Sequence, residues 1–217
     1  QKTDYIREII VRYGISSNDI SELSQNIINE IGNIKGNMLD VKEYEPSCCK
    51  REDFIKVYNA YTLELKKDGK MDFDDILNEC YLLLKENTTI LEQWRGLYKY
   101  ILIDEFQDIN RIQMNIIELL ASPLNNIFVV GDDDQSIYGF RGARPEIMIE
   151  FKDYYPGAEL IVLNVNYRST QSIINVAGRV IENNKTRLDK CAHANNDKDF
   201  QPDIRKFRNQ VEELKFV

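Results

Sequence analysis

Apolar residues recur at three- and four-residue steps through the first part of the chain. Ile20, Leu23, Ile27, Ile31 and Ile34 form one stripe, Phe54, Tyr58, Tyr61 and Leu65 a second, and Phe73, Ile76, Leu77, Cys80 and Leu84 a third. Each spacing places its residues on one face of an amphipathic helix, so residues 1–95 are expected to be helical. Asp72, with Asp75 three residues on, is a plausible N-cap of the third stripe. The stretch 37–50, with Pro46 and the adjacent Cys48 and Cys49, reads as a loop. Trp94 is expected to serve packing.

The texture changes after Lys99. Residues 100–104 (Tyr-Ile-Leu-Ile-Asp) and 127–131 (Ile-Phe-Val-Val-Gly) are short continuous apolar runs, the pattern of strands buried on both faces of a parallel sheet. A helix capped by Asn110 and ending near Ala121 separates them. Another, starting near Pro145, leads to a third expected buried strand at Leu160–Leu163. This alternation predicts an α/β fold with right-handed crossovers. A further helix should begin at Ser169 or Thr170, with Ile173, Ile174, Ala177, Val180 and Ile181 inward. Residues 183–199 read as a loop, 203–207 as a possible strand, and the last residues as an amphipathic helix.

Composition places the chain among ordinary globular proteins: of 217 residues, 43% are hydrophobic and 29% charged. No apolar run reaches the roughly 18–20 residues that cross a bilayer. No signal-peptide core is visible, and the first residue is not Met, so the natural chain is expected to start elsewhere. Four cysteines without CxxC or matching histidine spacing exclude the familiar zinc-finger patterns. They point to free thiols in a reduced, cytoplasmic protein. His193, the sole histidine, is assigned no role. The net charge of −8 is unpromising for a nucleic-acid binder. Its distribution is more telling. The acidic excess peaks between residues 101 and 165, in the clusters Asp104, Glu105, Asp108 and Asp132–Asp134, and turns to a basic excess after residue 166.

Those clusters sit where the chemistry of an open α/β sheet lies, beyond the carboxyl ends of the strands. The first run ends in Asp104-Glu-Phe-Gln-Asp108. One carboxylate there can hold Mg²⁺ through its water shell while the next orients and deprotonates an attacking water. The second ends in Gly131-Asp-Asp-Asp-Gln-Ser-Ile-Tyr-Gly-Phe-Arg-Gly-Ala143, where Gln135 can sense a terminal phosphate. Tyr138, Phe140 and Arg141 offer two flat faces and a cation, the means by which single strands are gripped without sequence preference. The same aromatics could instead be core residues. The third run leads into Asn166-Tyr-Arg-Ser169, where Arg168 is sited to reach a developing phosphate charge or to lie on the surface.

Taken in order, DEFQD, GDDDQSIYGFRGA and NYRS closely resemble motifs II, III and IV of the UvrD/Rep-type superfamily 1 DNA helicases. Residues 71–77 (MDFDDIL) are similar to that family's DFDDLL segment. The resemblance implies a helical 1B-like subdomain at 1–95 with helices returning to the motor core. The later part of a RecA-like P-loop NTPase domain, 1A, would occupy 96–165, and the start of a second, 2A, 166–217. It implies Mg²⁺ on Asp104, water activation by Glu105, and a nucleotide-sensing network containing Gln107 and Gln135, with Gln135 nearest the γ-phosphate. Tyr167 would stack on adenine and Arg168 would contact the γ-phosphate. Tyr138 and Phe140 would stack on bases of single-stranded DNA, with Arg141 on the same loop. The family commonly has Trp where this chain has Phe140, so weaker stacking is expected. The implied activity is ATP-driven 3′–5′ translocation on single-stranded DNA and unwinding at duplex junctions, without membrane involvement.

No G-x-x-x-x-G-K-[ST] occurs in the chain: Lys70 follows Gly69 but precedes Met71. The expectation is therefore an internal portion of a motor, inactive by itself toward ATP and binding DNA weakly in a salt-sensitive way. Two other readings remain open, the motor of a helicase–nuclease and a non-catalytic module descended from a helicase.

Overall fold

The computed structural model describes residues 2–196 and 199–216. The chain forms two compact units that meet in sequence at Tyr155 and Pro156.

The first unit opens with helices α1 (Lys2–Arg12), α2 (Ile20–Asn37) and α3 (Arg51–Lys67). Their apolar stripes close on one core, in which Ile6, Ile9, Ile10, Ile27, Phe54 and Val57 are fully buried. Leu23, Ile27, Ile31 and Ile34 of the expected α2 stripe are buried while Ile20 at the helix start is exposed, Asn37 still belongs to α2, and 38–50 is an irregular connection. Asp19 caps α2 by accepting the Ser21 and Glu22 N–H groups. Helix α4 (Phe73–Glu86) starts at Asp72, and Asp72 and Asp75 form a reciprocal capping box. Its stripe is only partly covered: Leu84 is buried, whereas Phe73 is 81% exposed and Ile76 is also exposed. Periodicity marks which face of a helix seeks burial, not whether a neighbour covers it. Helix α5 (Thr88–Leu97) carries Trp94, which is partly exposed and stacks on Tyr98 at 6.0 Å.

One buried charge cluster joins these helices. Lys35 Nζ lies 3.0 Å from Asp72 Oδ2 and 2.6 Å from Asp75 Oδ1. The Tyr61 hydroxyl donates to Asp72 Oδ2 at 2.9 Å, and Lys2 Nζ lies 3.4 Å from the same oxygen. Desolvation alone would raise the Asp72 carboxyl. The Asp75 N–H and the charges of Lys35 and Lys2 outweigh it and hold Asp72 down at about 2.

Strands β1 (Ile101–Ile103) and β2 (Ile127–Val129) pair in parallel, Ile101 against Ile127 through Ile103 against Val129. Their crossover is α6 (Arg111–Ala121), capped by an Asn110–Gln113 capping box. Ile103 and Val129 face a second core built on Phe106, Ile109, Met114 and Ile147. Burial on both faces, as the apolar runs suggested, is not observed: Leu102 is 72% and Phe128 59% exposed on the other side. Alternate residues of a strand point to opposite faces, and within this chain only one face is covered. Past β2, the helix expected near Pro145 is two single turns, α7 (Glu146–Ile149) and α8 (Phe151–Tyr154).

In the second unit, Leu160–Leu163 is not a strand. Those residues have no ladder partner among the described residues, and Leu163 is 85% exposed. An apolar run registers an appetite for burial, but a strand also needs a neighbour to satisfy its backbone groups. The pairing falls instead between β3 (Val165–Asn166) and β4 (His193–Ala194), so the stretch expected as a loop contributes a short strand. Helix α9 (Gln171–Ile181) begins after Thr170. Its expected inward residues Ile173 and Val180 are exposed, whereas Ser172 is buried and held by Asp199 through its N–H (3.0 Å) and hydroxyl (2.7 Å). Residues 203–207 form no strand, and α10 (Gln210–Phe216) ends the described chain. No helix among the described residues is long and apolar enough to cross a membrane.

Candidate functional site

The parallel pairing of β1 and β2 brings both acidic clusters to one edge of the sheet. The chain leaves β1 through Asp104 and turns at Glu105, whose φ of 50° and ψ of 43° lie in the left-handed region. A non-glycine residue there costs about 1–2 kcal/mol. The turn is held by the Phe106 N–H donating to Val130 O (2.9 Å) and the Val130 N–H donating to Ile103 O (2.8 Å). Asp104 and Glu105 therefore stand exposed at the strand end. Asp104 Oδ1 accepts the Glu105 N–H at 2.9 Å.

Behind them runs a relay of hydrogen bonds between the two strand ends. Gln107, 1% exposed, donates through Nε2 to Glu105 Oε2 at 2.7 Å. Its Oε1 accepts the Asp132 N–H at 3.0 Å, and Gln135 Nε2 donates to Asp132 Oδ2 at 2.7 Å. Ser136 adds a hydroxyl contact to Gln107 O at 3.3 Å. The relay depends on Gly131, where a Cβ would sit 2.6 Å from Gln107 Oε1 and 3.1 Å from the Phe106 nitrogen. Glu105, Gln107 and Gln135, singled out separately in the sequence, are thus joined. Asp132 is the link that sequence reasoning noticed only as charge. Asp108 lies beside them. Burial first, and the Glu105 charge second, push its carboxyl above the ordinary value.

Among the described residues no three His, Cys, Asp or Glu side chains converge as a metal cage. The donor set nevertheless suits Mg²⁺, a hard cation that keeps several waters and is held by one or two carboxylates plus phosphate oxygens. Asp104 offers such a carboxylate, exposed at the strand end.

The loop after the relay carries Tyr138, Phe140 and Arg141. The two rings lie 6.0 Å apart, tilted by 48°, and Phe140 is 54% exposed. The Arg141 guanidinium sits 5.0 Å from the Tyr138 ring centre and 5.4 Å from that of Phe140. These are surface aromatics with a cation on them, outside both hydrophobic cores. Tyr167 and Arg168 belong to the second unit. Asn166 Oδ1 accepts the Arg168 and Ser169 N–H groups at 3.0 and 2.8 Å, forming an Asx turn that leaves Tyr167 76% exposed.

A strand-end acid pair, the hydrogen-bonded relay behind it and an aromatic loop thus share one end of a small parallel sheet in an α/β unit. The comparisons are more particular. Residues 2–156 match the UvrD/REP helicase N-terminal domain, and residues 161–217 match the UvrD-like helicase C-terminal domain. The chain belongs to the UvrD/REP helicase family. It is 39% identical over 197 residues to the YjcD protein of Bacillus subtilis, covering 91% of this chain and 26% of that protein. It is 35% identical over 195 residues to the ATP-dependent DNA helicase PcrA of Leuconostoc citreum, with 89% and 26% covered. With the PcrA of Staphylococcus aureus it shares 42% identity over 134 residues, 62% of this chain and 18% of that one. The chain spans about a quarter of the length of the first two relatives and less of the third.

Proposed function

We propose that the chain is the middle portion of an ATP-dependent 3′–5′ DNA helicase. Residues 1–95 supply the 1B-like helices, 96–165 the later part of the first RecA-like domain, and 166–217 the start of the second. The observation that carries the reading is the Glu105–Gln107–Asp132–Gln135 relay, which gives the acid pair a fixed connection to the segment bearing the aromatic loop.

In this reading Asp104 holds Mg²⁺, which when bound neutralises charge on the phosphates of ATP. Glu105 orients a water and takes its proton as the water oxygen bonds to the γ-phosphorus and the bond to the β-phosphate oxygen breaks. Gln107 fixes the Glu105 carboxylate through one oxygen, leaving the other for the water. Gln135, tethered to Asp132, lies nearest the γ-phosphate. Arg168 contacts the γ-phosphate and Tyr167 stacks on adenine. Tyr138 and Phe140 stack on bases of single-stranded DNA, and Arg141 adds its charge. Without a P-loop sequence among its 217 residues, the chain by itself turns over ATP at no useful rate and binds single strands weakly, more weakly as salt rises. The motor would act in the cytoplasm, on duplex junctions.

The polarity is tested on the full-length protein by displacement of streptavidin from oligonucleotides biotinylated at either end. Faster ATP-dependent displacement from the 5′ end is expected, since a 3′–5′ motor runs toward it. Preference for the 3′ end, or none, contradicts the proposal.

A further inference from the structure

Asn37, the last residue of α2, is 6% exposed and uses its whole amide. Nδ2 donates to Asn33 Oδ1 (2.8 Å) and to Gly142 O (3.0 Å). Oδ1 accepts from Arg144 Nε (3.0 Å) and, at 3.4 Å, from the Arg111 N–H in the first turn of α6. These partners lie 74 to 107 residues away in sequence, apart from Asn33. Arg111 follows the acidic segment after Ile109 and the cap residue Asn110, and Gly142 and Arg144 close the loop that carries Tyr138, Phe140 and Arg141. Gly142 has a φ of +85°, and a Cβ there would sit 3.1 Å from Asn37 Nδ2 and 3.3 Å from Asn33 Cα. The loop is seated directly on the end of α2. The Arg144 N–H also donates to Ile109 O at 2.9 Å, a second tie to the acidic segment.

We propose that Asn37 is a positioning residue that clamps the Tyr138–Arg141 loop to the first turn of α6, holding the stacking face in register with the acidic strand end. The inference rests on the reading of that loop as the single-strand contact. Phe140 is exposed and Tyr138 half-buried on a loop that carries no fully buried apolar anchor of its own between residues 136 and 141. Hydrogen bonds to its far end therefore fix where the rings point.

The test uses the chain carrying Phe140→Trp and Trp94→Phe, so that one indole reports on the loop, and measures acrylamide quenching. Asn37→Asp keeps the volume and the acceptor but removes both donors. Arg144→Met removes the bond to Asn37 Oδ1 from the loop side without substituting a residue of α2, and decides the matter if the first variant fails to fold. Both are expected to raise the quenching constant with far-UV circular dichroism unchanged. Affinity for fluorescein-labelled oligo(dT) should fall about five- to tenfold, the worth of one buried hydrogen bond. Unchanged quenching in both overturns the clamp. So does raised quenching with unaltered affinity, provided Phe140→Ala weakens binding in the parent chain. If Phe140→Ala leaves binding intact, the single-strand reading fails, and quenching alone judges the clamp.

Discussion

Replacing Lys35 with Met removes, among the described residues, the only side-chain cation within 3.0 Å of the Asp72 or Asp75 carboxylate while keeping most of the side-chain volume. The Lys35 side chain is 6% exposed and that of Asp72 2%. Removing one partner of such a pair leaves a charge out of water and costs about 3–5 kcal/mol. Tyr61 still donates to Asp72 and Lys2 remains 3.4 Å away, so the lower end of that range is expected. The sign with pH is fixed. In the parent chain Asp72 drops from 3.8 to about 2 on folding. Its contribution, about 2 kcal/mol, is complete above pH 4 and is lost as pH falls through 2. In Lys35→Met the Lys35 charge and hydrogen bond no longer oppose desolvation, so Asp72 titrates higher than in the parent and the variant recovers relative to it on acidification as the carboxyl neutralises. Urea unfolding followed by Trp94 fluorescence, at pH 7 and pH 4, measures both. A difference below about 1 kcal/mol at pH 7, or one that does not shrink at pH 4, refutes the cluster as an organiser of the helical core.

Gly131→Ala should lower the urea midpoint by the equivalent of about 1–3 kcal/mol, because the new methyl meets the Phe106 backbone as well as Gln107; an unchanged midpoint would mean the relay is looser than its distances imply. Tyr138→Ala should weaken oligo(dT) binding by about 1–3 kcal/mol, and Phe140→Trp should strengthen it, both read by anisotropy at low salt. Equal affinities would remove the aromatics from the contact. With iodoacetamide followed by mass spectrometry, exposed Cys191 should label first. Cys48 and Cys49 should label last, since burial pushes both thiols above their ordinary value. Early labelling of the pair would contradict the packing of the 38–50 connection.

Much of this site is local information. Asp72 and Asn110 are legible as caps because a cap is a short-range pattern, and α2 and α3 because their stripes repeat every turn. Asp104 and Gly131 mark strand ends because polar residues abruptly close apolar runs. Lys35 and Asn37 were not legible. In sequence they are polar residues within a helix that already has its apolar stripe, and their burial depends on partners 37 to 107 residues away. Leu160–Leu163 errs the other way, since its composition declares burial but the neighbour that makes a strand is not sequence-local. A Gly-rich stretch such as 139–142 announces a turn, whereas only the close approach of Asn33 and Asn37 shows why Gly142 must be glycine.

The proposed role of Glu105, activation of water for ATP hydrolysis, is open to direct measurement. The direct measurement is single-turnover hydrolysis by the full-length protein with single-stranded DNA present, comparing wild type with Glu105→Gln while nucleotide binding is followed separately. Unchanged ATP affinity is expected, with hydrolysis slowed by about 10²–10⁴-fold, the range for losing a general base. Hydrolysis within a few-fold of wild type would place the chemistry elsewhere.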